Sequence, residues 1–114
     1  MRHEAQLVDI TAFGKAYRVE LNGTYYAYQG QLALRALMPE DGSPFGTITV
    51  VIEGWTPSSP SEVLVKTWSE NAWVRGLLER YPEMFSDTGK RVPSGHVQAE
   101  VWKLHPALIE QLWP

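Results

Sequence analysis

The sequence predicts an α+β fold, an antiparallel β-meander of about five to six strands packed against one main α-helix, with a short C-terminal helix. Three observations lead to this prediction: a turn dipeptide between strand-like runs, a β-branched run, and one stretch with helical periodicity. The chain has 114 residues, of which 44% are hydrophobic and 20% charged. This length and composition favour a single domain over residues 1–114.

The clearest local signal is Asn22-Gly23, which lies between two runs rich in Tyr and Val. Both residues tolerate positive φ angles, so the dipeptide is typical of a type I′ turn in a β-hairpin. The second arm of this hairpin carries three tyrosines: Tyr25, Tyr26 and Tyr28. Because successive side chains of a strand alternate, we expect at least one of them to point away from the core.

Four further segments predict strands. Residues 32–38 alternate apolar positions, residues 47–52 are β-branched almost throughout, and residues 62–68 follow a loop rich in Pro and Ser. Residues 96–104 form the final predicted strand. The segment 86–95 is dense in turn-forming residues, so we expect a connection there and no strand.

The main helix is predicted to begin at Ser69, whose hydroxyl can cap the first turn, and to end at Tyr81 before a proline. Its polar side should include Asn71. Gly76 inside this helix suggests a close approach to the sheet, because glycine costs about 1 kcal/mol relative to alanine in a helix interior. Pro106 suits the first turn of the short C-terminal helix.

Composition narrows the classes of function. The net charge is −3 and no cluster of basic residues is visible, so nucleic-acid binding is disfavoured. No segment reaches the roughly 20 apolar residues of a spanning helix, and no apolar run of signal-peptide length opens the sequence. We therefore expect a cytoplasmic protein with no membrane partner.

Motifs for catalysis are weak. The chain has no cysteine, and its three histidines are far apart, so we expect no metal site and no cofactor. Asp87-Thr88-Gly89 matches the active-site triplet of aspartic proteases, which leaves hydrolysis at Asp87 or a histidine as a minor hypothesis. The triplet lacks the preceding apolar strand of those enzymes, which favours a turn. We expect no enzymatic activity.

Aromatic residues are the main resource for binding. The candidate protein-binding residues are Tyr25, Tyr26, Tyr28, Trp55 and Trp68, with Glu53 and Glu62 as an acidic rim. Exposed aromatic side chains can anchor a protein partner or stack on a sugar. In a small domain they can equally cover the edges of the core.

A set of short segments resembles a family of short uncharacterised bacterial proteins carried on plasmids, prophages and other mobile elements. The segments are Val63-Leu64-Val65-Lys66, Ser69-Glu70-Asn71, Thr88-Gly89, Val92, Ser94-Gly95 and Val97. The resemblance covers roughly residues 13–104 and implies an α+β fold without an established activity. Trp68 and His96 depart from the residues usual in that family.

The sequence thus leads to two main functional expectations. The first is a non-enzymatic protein-interaction module of a mobile element, acting as an anti-defence or regulatory inhibitor that binds a host or defence protein, with homodimerisation as a variant. The alternative is a small-ligand or carbohydrate-binding domain that uses the exposed aromatic residues.

Overall fold

The computed structural model describes residues 5–113, which form two antiparallel sheets and three helical segments. The first sheet is a meander of β1 (Gln6–Ala12), β2 (Lys15–Tyr25), β3 (Leu32–Leu37) and β4 (Pro44–Thr47). The second sheet contains β5 (Glu62–Val65), β6 (Phe85–Ser94) and β7 (Val97–Leu104), with β7 in the middle. A 3-10 helix (Ser69–Arg75) leads into α1 (Gly76–Arg80), and α2 (Pro106–Leu112) follows β7.

The segment 48–50 connects the two sheets through backbone hydrogen bonds. Ile48 N donates to Leu34 O of β3 at 2.9 Å, while Lys66 N donates to Ile48 O at 2.9 Å. Val50 N donates to Leu64 O of β5 at 3.1 Å. The strand predicted over residues 47–52 is therefore misplaced: β4 ends at Thr47, and the chain then crosses from one sheet to the other.

The main hydrophobic core lies between the sheets and takes side chains from both. Val19 and Leu34 enter it from the first sheet, Trp102 from the second, and Val74 and Leu77 from the helical segments. All five are completely or almost completely buried. Each such apolar side chain stabilises the fold by about 1.5–3 kcal/mol relative to an exposed position, so this core positions the two sheets.

The predicted hairpin turn at Asn22-Gly23 is wrong. The two-residue turn lies at Phe13-Gly14, where φ is 53° and 75°, and Ala12 pairs with Lys15. Asn22 and Gly23 lie inside β2. A Cβ on Gly23 would lie 2.6 Å from Cε2 of Trp113, so glycine is required there by the close approach of this ring.

The start of the main helix also differs from the prediction. The N-cap is Trp68, which makes no side-chain capping hydrogen bond, and Ser69 has a positive φ of 58° as the first residue of the 3-10 helix. Asn71 is buried and its Nδ2 donates to Thr47 O at 2.6 Å and to Lys66 O at 3.2 Å. The polar side predicted for Asn71 is therefore wrong, because its amide joins the helix to both neighbouring backbone segments.

For the remainder of the helix, one prediction is confirmed and one is wrong. Its end is confirmed, since α1 stops at Arg80 and Tyr81 has left the helical region. The close approach predicted at Gly76 is wrong, because a Cβ there would meet no atom within 4 Å. In the C-terminal helix Pro106 occupies the first turn as predicted, and Nδ1 of His105 accepts a hydrogen bond from Ala107 N at 3.1 Å.

The segment predicted as a turn-rich connection is largely strand β6. It pairs with β7, with a shift of register between Asp87 and Arg91 where Gly89 has a φ of 85°. A bulge, Lys90 and Pro93 are features that protect an edge strand from pairing with another chain. The turn-forming residues of this segment thus serve an irregular strand at the edge of the sheet.

The α+β class and the antiparallel pairing are confirmed, together with the strands near residues 32–37, 62–65 and 97–104. The predicted arrangement fits only roughly. The meander is limited to the first sheet, and β5, β6 and β7 form a sheet of their own. Within residues 5–113, no helix is long and apolar enough to cross a membrane.

Candidate functional site

The loop between β2 and β3 is fastened to the segment 49–55 by three side-chain hydrogen bonds. The hydroxyl of Tyr26 lies 2.9 Å from Oγ1 of Thr49. The hydroxyl of Tyr28 accepts a hydrogen bond from Gly54 N at 3.2 Å. Nε2 of Gln31 donates to Trp55 O at 3.2 Å. Two loops that are distant in sequence therefore form one surface.

Trp55 and Trp68 pack against the outer face of the second sheet. This face buries a small apolar cluster formed by Leu64, Ala99 and Val101. Both tryptophans are half-buried over this cluster, and Nζ of Lys66 lies 5.8 Å from the ring centroid of Trp68. Their rings thus close a secondary core while part of each remains accessible, which is intermediate between the two roles predicted for them.

Four of the predicted binding residues lie on the two joined loops, namely Tyr26, Tyr28, Glu53 and Trp55, and Trp68 packs on the same apolar cluster as Trp55. We call Tyr25, Tyr26, Tyr28, Trp55 and Trp68 the aromatic surface. Tyr25 is 60% exposed at the end of β2, and Glu53 is exposed in the loop that carries Trp55. The predicted placement of all three tyrosines in one strand is wrong, because β2 ends at Tyr25 and Tyr26 N donates to Gln31 O at 2.8 Å across the loop.

Glu62 does not belong to an exposed acidic rim. Its side chain is only 6% exposed, and its carboxylate accepts hydrogen bonds from Ser58 N at 2.7 Å and from Nζ of Lys90 at 3.2 Å. Burial alone would raise the pKa of Glu62, but the Ser58 N–H and the Lys90 ammonium together lower the pKa below its usual value. The prediction of an acidic rim is therefore wrong for Glu62. Its carboxylate connects Ser58, in the loop before β5, to Lys90 of β6.

A cleft of about 490 Å³ begins beside the aromatic surface and extends along β4. Its walls include Phe13, Tyr26, Phe45, Gly46, Thr47, Thr49, Val50, Val51, Lys66, Glu70, Asn71 and Trp73. The rings of Phe45 and Trp73 meet edge to face at 5.4 Å between centroids. Lys66 and Glu70 form an ion pair at 2.6 Å on its rim. The cleft therefore combines an aromatic wall with one pair of opposite charges.

The sequence analysis did not predict three of the aromatic residues of this cleft, which are Phe13, Phe45 and Trp73. Phe45 and Trp73 come from β4 and the 3-10 helix, and only the folded chain brings them together. Phe13 is 72% exposed at the tip of the β1–β2 hairpin. The adjacent Gly14 was the one local feature that could have indicated an exposed position for Phe13. The two residues form a two-residue turn between two alternating strands.

A network of charged side chains is centred on Glu100. Glu100 is buried; it forms an ion pair with Arg75 and accepts a hydrogen bond from Nε1 of Trp102 at 2.9 Å. Arg91 donates twice to Asp87, at 2.9 Å for each oxygen. The hydrogen bonds from Arg91 hold the pKa of Asp87 below its usual value. A carboxylate held in this way is suited to an ion pair, whereas a dyad that shares a proton needs one raised pKa.

The polar groups of the described region are otherwise well satisfied. Among the described residues, every buried side-chain nitrogen and oxygen atom has a hydrogen-bond partner. In the same part of the chain, no three His, Asp or Glu side chains are grouped so that they could hold a metal ion. The aromatic surface, the cleft beside it and Phe13 are accessible features with binding potential.

Comparison with known proteins leaves this set of residues unchanged. The family resemblance based on Ser69-Glu70-Asn71, Thr88-Gly89 and the other short segments stays a prediction. No protein-family model, curated protein or solved structure matches the chain.

Proposed function

We propose that this protein is a non-enzymatic interaction module that binds a protein partner through the aromatic surface. The observation that carries the proposal is the set of three hydrogen bonds that fastens the Tyr26–Gln31 loop to the segment 49–55. They fix the hydroxyl of Tyr28 and the backbone at Gly54 and Trp55 relative to each other. Rigid aromatic side chains lose little conformational entropy on binding and are enriched among the residues that dominate interface energies.

The chemistry of the surface defines the partner that would fit it. The accessible groups are tyrosine and tryptophan rings and the exposed carboxylate of Glu53. The chain has a net charge of −3. The partner would therefore present apolar side chains together with Lys or Arg, because opposite charges speed encounter and disfavour wrong partners. Following the resemblance to proteins of mobile elements, we propose that this partner is a host or defence factor.

A specific observation favours a second candidate function, the binding of a small ligand or carbohydrate. The cleft of about 490 Å³ falls within the size range of ligand sites. Its aromatic wall could contact the apolar face of a sugar ring, and Lys66 and Glu70 could bind the hydroxyl groups of the sugar. The protein-interaction proposal ranks first because Tyr25 and Trp55 do not line the cleft, and an extended partner could contact both.

The test uses a tagged protein, capture from bacterial lysate, and titration of the captured partner after its purification. The informative variant combines Tyr25→Ala with Glu53→Lys, because both side chains are exposed and neither makes one of the three loop contacts. Tyr26 is left intact, since its hydroxyl is bonded to Thr49. The matched control is Leu7→Ala, which removes an exposed apolar side chain from β1.

The proposal expects one stoichiometric partner that binds the wild type and the Leu7→Ala control equally and binds the double variant at least about tenfold more weakly. Equal binding by the double variant would contradict the assignment of this surface. Saturable quenching of tryptophan fluorescence by a soluble sugar, with no protein captured, would favour the carbohydrate alternative.

A further inference from the structure

Phe13 occupies a position that is unfavourable for it in an isolated chain. Its ring is 72% exposed at the hairpin tip. Its φ of 53° lies in the left-handed region, where type I′ turns favour Asn or Gly at this place. Exposure and backbone conformation therefore both disfavour phenylalanine here, and strained residues of this kind cluster at functional sites.

The surroundings of Phe13 are concave and include aromatic side chains. One hollow is the cleft with the edge-to-face pair of Phe45 and Trp73. A second, smaller hollow of about 300 Å³ has Ser69, Glu70 and Trp73 in its lining. Phe13 lies on the rim of both hollows. A protruding ring and a receptive aromatic wall are thus neighbours on one patch.

We propose that this patch is the interface of a homodimer in which each copy inserts Phe13 into the cleft of the other, against Phe45 and Trp73. A twofold axis requires that one surface contain both the protruding group and its receptor, and this patch meets the requirement. The ring of Phe13 would then be removed from water in both copies. This inference is independent of the partner surface proposed above, although Tyr26 lines one end of the cleft.

The charges on the patch favour a second copy as the occupant. Lys15 is exposed two residues after Phe13 on the hairpin. Glu70 lies on the wall of the cleft, where it pairs with Lys66 at 2.6 Å, and its side chain stays 62% exposed and so accessible to a second cation. In the proposed dimer the hairpin of one copy would bring Lys15 toward Glu70 of the second copy, and the twofold axis would repeat the contact. One patch therefore supplies the ring, the cleft and both opposite charges.

The first test is sedimentation velocity of the purified full-length protein over a concentration series. The proposal expects a monomer–dimer equilibrium. Phe13→Asn should raise the dimer Kd by about tenfold or more, and it should remain folded because asparagine suits the turn. The matched control is Tyr25→Asn, which removes another exposed ring and should leave the dimer Kd unchanged. A monomer at every concentration, or a dimer unaffected by Phe13→Asn, would overturn the proposal.

A charge exchange tests the arrangement without changing the ring. Lys15→Glu and Glu70→Lys should each raise the dimer Kd, while the double variant should restore it toward the wild-type value. Thermal unfolding of each variant monitors the internal pair of Glu70 with Lys66, which the second change removes. Failure of the double variant to recover dimerisation would contradict the proposed contact between the hairpin and the cleft.

Discussion

Phe13-Gly14 and Asn22-Gly23 lie in the same two-stranded segment and have exchanged the roles that their composition suggests. Asn22-Gly23 is the better turn dipeptide, yet it lies within β2, whereas Phe13-Gly14 makes the turn. Gly14 is used for its positive φ of 75°. Gly23 is used for its lack of a side chain, because Trp113 packs against its backbone. The comparison shows that one residue type meets two physical needs that local sequence cannot distinguish.

The largest loss of stability is expected from Gly23→Ala, which tests the role assigned to Gly23. The new Cβ would lie 2.6 Å from Cε2 of Trp113 and 2.9 Å from Leu112 O, so α2 must shift or the strand must bend. We expect the free energy of unfolding to fall by about 3 kcal/mol in urea titrations. The control is Gly76→Ala, which meets no atom within 4 Å and should raise stability by up to about 1 kcal/mol. A neutral Gly23→Ala would show that Trp113 does not need this space.

A second experiment measures the free energy of unfolding as a function of pH. The steric conflict at Gly23 involves no titrating group. The loss caused by Gly23→Ala should therefore be the same at pH 7 and pH 4. Glu62 behaves differently, because its pKa is lowered in the folded protein. Its carboxylate stabilises the fold above the ordinary glutamate pKa of about 4.3. This contribution is lost as the pH falls through the lower pKa of the folded state.

The expected size at pH 7 is about 1–2 kcal/mol, measured as the loss in free energy of unfolding caused by Glu62→Gln. The difference between this variant and the wild type should shrink as the pH falls below 4. Lys90→Met removes the ammonium partner and should reduce the same pH dependence. A constant difference between wild type and Glu62→Gln from pH 7 to pH 3 would contradict the role assigned to the carboxylate.

Phe13→Asn should stabilise the monomer, which is the reverse of the usual effect of substitution. Asparagine tolerates the left-handed conformation better than phenylalanine does, so we expect a gain of about 0.5–1 kcal/mol in the free energy of unfolding at low protein concentration. Phe13→Ala serves as the control, because it removes the ring but keeps the unfavourable φ. A loss of stability with asparagine would show that the ring of Phe13 supports the fold.

The smallest effect is expected at the dipeptide that looks most like a turn. Asn22→Thr replaces a turn-favouring residue by a strand-favouring one within β2, and removes the two hydrogen bonds that Nε and Nη2 of Arg35 donate to Oδ1 of Asn22. These changes oppose each other, so stability should stay within about 0.5 kcal/mol of the wild type. A loss well above this amount in the same urea titration would indicate that Asn22 has a turn conformation.

The elements that sequence could predict are those whose signal is local. β3, β5 and β7 follow from apolar runs, and α2 follows from Pro106. β6 could not be predicted in this way, because its polar residues become a strand only by pairing with β7 around a bulge. The many turn-forming residues at positions 86–95 led to the prediction of a connection there instead of a strand.

The candidate site shows the same division. Tyr28, Trp55 and Glu53 were predicted as binding residues from their type, and the structure places them on joined loops. Glu62 was misjudged because charge suggests exposure, whereas the Ser58 N–H and Lys90 allow burial. The cleft could not be predicted, since Phe45 and Trp73 meet only through the packing of β4 against the 3-10 helix.

The most direct test of the account is a proton NOESY spectrum of the protein in solution. The exposed position of Phe13 and the close packing of Trp113 both depend on which dipeptide forms the turn. We expect cross-strand contacts between Ala12 and Lys15, and contacts between the α protons of Gly23 and the ring of Trp113. A direct contact between Leu21 and Thr24 across a tight turn, with no contact from Gly23 to Trp113, would contradict it.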